Sequence, residues 1–361
     1  MKQINVKLKN VPYPIIFSNG YDDLIKSFKL YVPDKKVFFV SDRNVSNLYL
    51  KEISDILKKE NFIVDSYVFK AGEESKNLKT LSDIYNYALK SGLDRKFTVA
   101  ALGGGVVGDT AGFFAATYMR GLKFVQIPTS LLAMVDSSVG GKTGVNVEKG
   151  KNIVGAFYQP KFVYINTDFL STLPPEHIKN GMGEIIKYAV TFSSSFFYKL
   201  DNILSNGIIT KKEFENIIYE CCRFKAHVVE KDEKEVSGVR ELLNFGHTFA
   251  HALETVTKYK KYLHGEAVAA GMLFAASISN KINFCSAETK EKITGIVLNA
   301  GFPAKINLKT NSAKMIDLMK KDKKSVSKKI RFVLPKKIGK AVTGKEIEDS
   351  IILKTIEDFI K

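Results

Sequence analysis

Residues 240–254 constrain the fold strongly, because they combine an extended apolar surface with a narrow polar stripe. Read as one helix, the polar residues lie within about 80° of one face, since their spacings alternate between four and three residues: Arg240, Asn244, His247, His251 and Glu254. Leucine, phenylalanine and alanine cover the rest of the surface, which predicts a buried helix. A buried polar stripe must face something that offsets its desolvation, such as a metal, an ion or a substrate.

The remainder of the 361-residue chain predicts two domains. Strand-like runs alternate with helical patterns in the first part, which indicates a Rossmann-like, mostly parallel sheet. After residues 171–179 helical periodicity dominates, with one further strand at 329–335. We therefore expect an α/β domain over 1–173 and a mainly helical domain over 174–361. The N-terminal stretch 1–17 also alternates like a strand, and the other expected strands are 36–42, 62–69, 97–105, 123–130 and 161–169.

Composition limits the functional classes. The net charge of +17 comes from lysines spread along the chain, and it indicates either a solvated surface or an anionic ligand. No nucleic-acid motif accompanies the charge, so we expect no nucleic-acid partner. The apolar runs are too short for a membrane span, which takes about 20 residues. Three cysteines form no disulfide framework and no export signal begins the chain, which predicts a cytoplasmic protein.

A glycine-rich turn follows the expected strand 97–105. Gly103, Gly105 and Gly108 satisfy the G-x-G-x-x-G pattern, in which glycines let the backbone approach a pyrophosphate at a helix N-terminus. No acidic residue ends a strand about 20 residues downstream to hold a ribose, and the best acidic candidate, Asp42, lies upstream. The motif therefore indicates either a dinucleotide site with a different strand order or only a tight turn.

Two further segments carry lysines beside glycines. Residues 128–146 contain Gly-Gly-Lys-Thr, but Asp136 occupies the position of the first glycine of a nucleotide-binding P-loop, so that class is disfavoured. Lys142, and the pair Lys151 and Asn152, still suit an anion. The turn at 71–77 is by itself typical of a helix cap with surface charge.

The metal hypothesis rests on residues from three distant segments, 181–189, 242–254 and 263–272. Glu184, His247 and His264 supply three nitrogen or oxygen ligands, as in a catalytic zinc site with an open position. His247 and His251 could instead be joint ligands, as in H-E-x-x-H proteases, but threonine replaces the glutamate that acts as base there. For a single histidine a buried structural role is the usual alternative, and His177 and His227 fit a structural or surface role.

Together these segments resemble one family, 3-dehydroquinate synthase. The match runs in order from about Asp42 to residues 329–340 and includes 103–109, 128–146, 150–160, 181–189, 242–251 and 263–272. The resemblance implies NAD, Zn²⁺ or Co²⁺, a homodimer, and an anionic seven-carbon sugar acid phosphate as substrate. The loop 231–240 is one residue longer than is expected for the family.

The resemblance also implies site residues. The metal ligands are Glu184, His247 and His264. The residues implied for NAD are Asp42, Asn44, Glu73, Lys76, Gly104, Gly105, Val106, Gly108, Asp109, Thr129, Ser130, Lys142, Lys151, Phe169, Leu170, Ser171 and Thr172. Those implied for substrate and catalysis are Asp136, Lys142, Asn152, Lys187, Lys225, Arg240, Asn244, His251 and Lys323 (or Lys324), with Arg120 reaching in from the other subunit.

The implied reaction oxidises the C4 hydroxyl, which acidifies the C5 proton so that phosphate can be eliminated. Reduction, ring opening and an intramolecular aldol closure then give a carbocycle, with His251 serving proton transfer. Two related classes stay open: a cyclase of neutral sugar phosphates, and a metal-dependent polyol dehydrogenase. Arg240 favours a substrate with a carboxylate, and the cationic set around Lys142 and Asn152 suits a phosphate better than a simple polyol.

Overall fold

A computed structural model describes residues 2–148, 150–308, 312–322 and 330–360, except the side chain of Asp322. Within these ranges the chain forms two compact units. The first contains Met1–Pro174 and Lys225–Lys234, and the second contains Pro175–Phe224 and Glu235–Lys361. The expected domains, 1–173 and 174–361, are each continuous, whereas the first compact unit also includes ten later residues.

The first unit is built on a seven-stranded sheet, as the alternating pattern predicts. Its strands are β1 Lys2–Val6, β2 Tyr13–Phe17, β3 Lys36–Asp42, β4 Ile63–Phe69, β5 Thr98–Gly103, β6 Lys123–Pro128 and β9 Val163–Ile165. Between β6 and β9 the chain forms a separate antiparallel hairpin of β7 Lys142–Val147 and β8 Gly150–Phe157. The strand order is β1-β2-β9-β6-β5-β3-β4. All pairs are parallel except β1 with β2. The N-terminal stretch is therefore two strands rather than one.

Helices connect these strands: α1 Asp22–Tyr31, α2 Arg43–Val45, α3 Lys51–Lys59, α4 Leu78–Lys90 and α5 Gly105–Thr117, with short 3-10 turns at Glu73–Ser75, Tyr118–Arg120 and Thr167–Thr172 and π-helical turns at Ser46–Leu50 and Ala133–Ser137. Helix α5 is apolar around most of its circumference, which predicts burial on all sides. Its residues Val107, Ala111 and Phe114 are fully buried in a core with Phe38 and Val99.

The second unit is mainly helical, as expected. Its elements are α6 Pro175–Phe192, α7 Ser194–Ser205, α8 Lys211–Lys231 (whose last residues, from 225, belong to the first unit), a 3-10 turn Val239–Asn244, α9 His247–Val256, α10 His264–Lys281, α11 Ala287–Asn299, α12 Ser312–Asp322, β10 Ile330–Lys337, β11 Lys340–Ile347 and α13 Asp349–Phe359. The strand expected at 329–335 is β10. Its antiparallel partner β11 was not expected, because half of its residues are polar and only Ile347 is buried.

The prediction of one continuous helix over 240–254 is wrong. The chain makes the 3-10 turn Val239–Asn244, passes through Gly246 at φ +82°, and begins α9 at His247. This left-handed backbone favours glycine. Arg240 and Asn244 consequently do not share the face of α9 that carries His247 and His251. The burial expected for the apolar side is correct, since Phe245, Phe249 and Leu253 are at most 1% exposed.

Helix α10 lies against α6 and the turn before α9 at points where only glycine fits. A Cβ on Gly183 would lie 2.3 Å from the carbonyl oxygen of Gly265, and one on Gly265 would lie 1.8 Å from that of Asn180. A Cβ on Gly271 would lie 1.9 Å from the carbonyl oxygen of Gly246. The nearest atoms that each added Cβ would meet belong to the backbone, so rearrangement of side chains cannot relieve the overlap.

We expect Gly265→Ala to destabilise the second unit by about 1–3 kcal/mol or more, because the new methyl group would overlap the main chain of α6. Gly295→Ala in α11 is the matched control, since nothing lies within 4 Å of its added Cβ. There the loss of backbone freedom in the unfolded chain should stabilise by about 0.5–1 kcal/mol. Denaturant unfolding of both variants checks this, and equal effects would contradict it.

Candidate metal and nucleotide sites

Three side chains of the second unit converge at the beginnings of two helices and the middle of a third. Glu184 lies within α6 and is 1% exposed, while His247 and His264 are the first residues of α9 and α10. Nε2 of His264 lies 3.4 Å from Oε1 of Glu184, and Nε2 of His247 lies 3.6 Å from the same oxygen. Among the described residues, these three form the group of His, Cys, Asp and Glu side chains placed to hold a metal ion.

The donor set fits a tetrahedral divalent ion. Zinc–nitrogen and zinc–oxygen bonds of about 2.0–2.1 Å imply ligand atoms about 3.4 Å apart at tetrahedral angles. The two distances from Glu184 are close to this separation. Two imidazoles and one carboxylate leave a fourth position open, which is typical of catalytic rather than structural zinc sites.

The other nitrogen of each ring is held by an acceptor. Nδ1 of His247 lies 3.2 Å from the carbonyl oxygen of Phe245, and Nδ1 of His264 lies 3.3 Å from Oε1 of Glu254. With Nδ1 donating its proton, each ring presents the Nε2 lone pair to the metal position. Lys187, one turn after Glu184 on α6, forms a buried ion pair with Oε2 of that carboxylate.

The two histidines differ in their protonation. Burial lowers the pKa of His247 to about 3. The nearby groups Lys187 and His264 contribute to this decrease, while the carboxylate of Glu184 opposes it. Burial also opposes the charge of His264, but the hydrogen bonds to Glu184 and Glu254 outweigh it and raise the pKa of His264 to about 10. At neutral pH without metal, His247 is therefore neutral and His264 is protonated.

Other expected residues of the second unit lie around this cluster or near it in sequence. The ring centroid of His251 is 5.4 Å from that of His247, one turn along α9. Arg240 is 2% exposed and Asn244 is half-buried, both in the 3-10 turn. Lys323 and Lys324 lie outside the described residues. His177 and His227 are exposed, in agreement with the role expected for them.

The glycine turn of the first unit lies where β5 ends and α5 begins. Gly104 is the N-cap of α5, so the first N–H groups of this helix point toward the turn. Glycines also serve packing here, since a Cβ on Gly108 would lie 2.7 Å from the side chain of Gln126. Asp42 ends the neighbouring strand β3, and its carboxylate accepts hydrogen bonds from the N–H groups of Asn44 and Val45.

Several residues expected from the resemblance contact one another within the first unit. Lys76 forms a short ion pair with Asp109, whose pKa is raised by burial in spite of this lysine. Glu73 lies 3.6 Å from Lys151. Lys225 binds both the carboxylate of Asp136, at 2.9 Å, and its carbonyl oxygen, at 2.6 Å.

The remaining residues expected in the first unit occupy turns and strand ends. Thr172 hydrogen-bonds Tyr49 through its hydroxyl group. Phe169 and Thr129 are buried, whereas Ser171, Lys142, Asn152 and Arg120 are exposed. Val106, Ser130 and Leu170 are half-buried. Asn152 and Arg120 have positive φ, at +53° and +66°, in the β7–β8 hairpin and the turn Tyr118–Arg120.

The structure shows three residues that hold others in place, of which Asn146 and Asn180 were not singled out from the sequence. Asn146 donates to Glu73 at 2.8 Å and accepts from the backbone N–H of Asn152 at 3.1 Å. Asn180 accepts from the N–H of Gly265 at 2.6 Å. Glu254 was on the polar stripe, but its contact with His264 requires a second helix and could not be foreseen from spacing along one.

Comparison with known proteins connects this arrangement to a family. The profile described as 3-dehydroquinate synthase N-terminal matches residues 66–180, and the C-terminal profile of the same enzyme matches 181–325. A 3-dehydroquinate synthase from Endomicrobium trichonymphae is 52% identical over 99% of both chains.

Solved structures of cyclases share the fold. 2-Deoxy-scyllo-inosose synthase, complexed with carbaglucose-6-phosphate, NAD⁺ and Co²⁺, is 26% identical and superposes with a TM-score of 0.89 over 99% of this chain and 100% of that one. 2-Epi-5-epi-valiolone synthase from Streptomyces hygroscopicus superposes with a TM-score of 0.88 at 24% identity, over 98% of each chain. In the described part of the chain, none of the helices has the length and apolar character required to cross a membrane.

We expect divalent metal binding to release about one proton per ion at pH 8, because the metal must replace the Nε2 proton of His264. Affinity should rise about tenfold per pH unit from pH 7 to 9, and the rise should cease as the pH passes about 10. Calorimetric titration of metal-stripped protein with Zn²⁺, in buffers of different ionisation enthalpy, measures the released proton. His177→Ala is the control and should behave like the unaltered protein, while pH-independent affinity would contradict the prediction.

Proposed function

Because the chain belongs to the 3-dehydroquinate synthase family, we propose that it converts 3-deoxy-D-arabino-heptulosonate 7-phosphate to 3-dehydroquinate and phosphate, a step of the shikimate pathway. The observation that carries the proposal is the group Glu184, His247 and His264, which meets in space from three segments within the family match. The net reaction breaks a carbon–oxygen bond by elimination, so the proposed enzyme is a lyase. NAD is reduced and reoxidised in each turnover and is not consumed.

The first unit is the proposed NAD domain, and the second the proposed metal domain, with Zn²⁺ or Co²⁺. The NAD⁺ and Co²⁺ in 2-deoxy-scyllo-inosose synthase support this assignment, as do the ligand types of the second unit. Bound NAD would accept and return a hydride, and a bound divalent cation would polarise the hydroxyl group that loses it. We assign Glu184, His247 and His264 to the metal.

For NAD we propose the residues that the family resemblance implies. They are Asp42, Asn44, Glu73, Lys76, Gly104, Gly105, Val106, Gly108, Asp109, Thr129, Ser130, Lys142, Lys151, Phe169, Leu170, Ser171 and Thr172. The start of α5 supports this choice, because a 13-residue helix directs its first N–H groups and positive dipole end toward the glycine turn. A pyrophosphate is the kind of anion that such a turn binds.

For substrate and catalysis we propose Asp136, Lys142, Asn152, Lys187, Lys225, Arg240, Asn244, His251 and Lys323 or Lys324. His251 is suited to proton transfer at the substrate hydroxyl groups, since its ring lies one helical turn from the ligand His247. Lys187 is fully buried beside Glu184, so its charge is fixed near the metal ligands. Lys142, at the start of β7, supplies an exposed cation for an anionic group.

A substrate with a carboxylate is favoured over a neutral sugar phosphate by Arg240. Its guanidinium group is almost fully buried in the second unit, and the planar guanidinium group matches a carboxylate in two parallel hydrogen bonds. The alternative is a cyclase of the type represented by 2-deoxy-scyllo-inosose synthase, whose structure holds a carbaglucose phosphate. A polyol dehydrogenase is the third candidate, and it would accumulate NADH.

A product assay separates these candidates. The purified protein, with catalytic NAD and Zn²⁺ or Co²⁺, is given the seven-carbon sugar acid phosphate, and phosphate release is followed while NMR identifies the product. We expect stoichiometric phosphate and dehydroquinate without NADH accumulation. Turnover of only a neutral sugar phosphate would move the protein to another cyclase, and NADH formed from simple polyols would make it a dehydrogenase. His247→Ala serves as the inactive control.

We further propose a cytoplasmic homodimer in which Arg120 acts in the partner's active site. Arg120 is exposed on a turn where Met119, Arg120 and Gly121 all have positive φ. A residue held in this uncommon backbone conformation at a functional surface fits a specific role rather than a solvated charge.

Arg120→Ala and Lys142→Ala should each be nearly inactive as pure dimers. If Arg120 acts across the dimer, mixing the two variants under subunit exchange should restore up to about one quarter of the wild-type activity. Random exchange makes about half of the dimers heterodimers, and each heterodimer has one intact site of two. Exchange is verified with differently tagged subunits. Verified heterodimers without activity would exclude the trans role.

A further inference from the structure

The imidazole of His264 lies between two carboxylates that come from two different helices. Its Nε2 is 3.4 Å from Oε1 of Glu184 on α6, and its Nδ1 is 3.3 Å from Oε1 of Glu254 on α9. The side chain of His264 is 34% exposed, compared with 13% for His247 and 1% for Glu184. His264 is therefore the ligand with the most room to rotate.

The main chain of His264 is fixed independently of its ring. Asn180 accepts a hydrogen bond from the N–H of Gly265, and Glu266 accepts one from the N–H of Leu263, at 2.6 and 3.0 Å. Neither group contacts the imidazole nitrogens in these bonds. The orientation of the ring consequently depends on Glu254, which is 5% exposed and occupies the second turn of α9 after His247.

We propose that Glu254 is a positioning residue for the metal: it holds His264 with Nε2 directed at the ion and increases the basicity of that nitrogen. A ring donating Nδ1–H to a carboxylate keeps one tautomer and is a stronger ligand than one donating to water, and such outer partners contribute about 10- to 100-fold to metal affinity. Helix α9 thus supplies one ligand directly, through His247, and orients another through Glu254. This inference rests on the metal site of the proposed function.

The test measures metal affinity of the full-length, metal-stripped protein with Zn²⁺ against a chromophoric chelator at several pH values. Affinities are compared after correction for proton competition at His264, because Glu254 also stabilises the protonated ring. Glu254→Gln keeps an oxygen acceptor of the same size but loses the charge, and it should weaken affinity about 10-fold. Glu254→Ala frees the ring and should weaken affinity up to about 100-fold. Glu266→Gln is the matched control, because it lies on the same turn as His264 and caps Leu263 rather than the ring, and its affinity should stay within about twofold.

A second readout separates positioning from a general structural role. The visible absorption of bound Co²⁺ should change in Glu254→Gln together with the loss of affinity, whereas a structural role alone would lower only the thermal midpoint of the metal-free protein. Parental affinity in both Glu254 variants, or a lowered midpoint with parental affinity, would overturn the inference. If the unaltered protein binds neither Zn²⁺ nor Co²⁺, the proposed metal function fails instead, whatever Glu254 does.

Discussion

The metal-binding geometry of the second unit depends on the close approach of main chains around α10. Gly183, Gly246 and Gly265 each adjoin one of the three proposed ligands in sequence, and each lies where an added Cβ would meet backbone atoms at 2.8 Å or less. Helices that touch through their backbones have little freedom to slide, since no side chain can adapt between them. The positions of Glu184, His247 and His264 are thereby set by packing before any ion binds, which is the rigidity that a metal site requires.

The electrostatics of the cluster follow from that packing. A carboxylate buried to the extent of Glu184 is costly unless charged partners surround it. Lys187 and protonated His264 supply those charges in the metal-free protein. A divalent ion would take over part of this compensation, and the two histidines present it with different protonation states. Metal binding should therefore depend on pH through His264, whereas His247 is unprotonated and able to bind a metal at any physiological pH.

The first unit pairs its buried cations in the same way. Lys76 with Asp109 and Lys225 with Asp136 join residues from different elements, and the second pair attaches the end of α8 to the turn after β6. Much of the chain's positive charge is on exposed lysines, so net charge alone says little about the ligand. A fold of this kind also supports other chemistries, so the proposal of a cyclising lyase rests on the site residues and on the family match over residues 66–325.

By itself the sequence determined the fold class, the strands β3 to β6 and the identity of the candidate ligands. These are local properties, because the alternation of strand-like and helical patterns, the glycine turns and the residue types can all be read along the chain. Only the tertiary structure decided that 240–254 is broken at Gly246, that β11 pairs with β10 and that residues 225–234 join the first unit. It also decided that Glu254 meets His264. The break at Gly246 and the position of 225–234 depend on contacts with segments distant in sequence. The β10–β11 pair is a local hairpin whose polar residues hide the strand pattern, and Glu254 meets His264 only because two successive helices pack together.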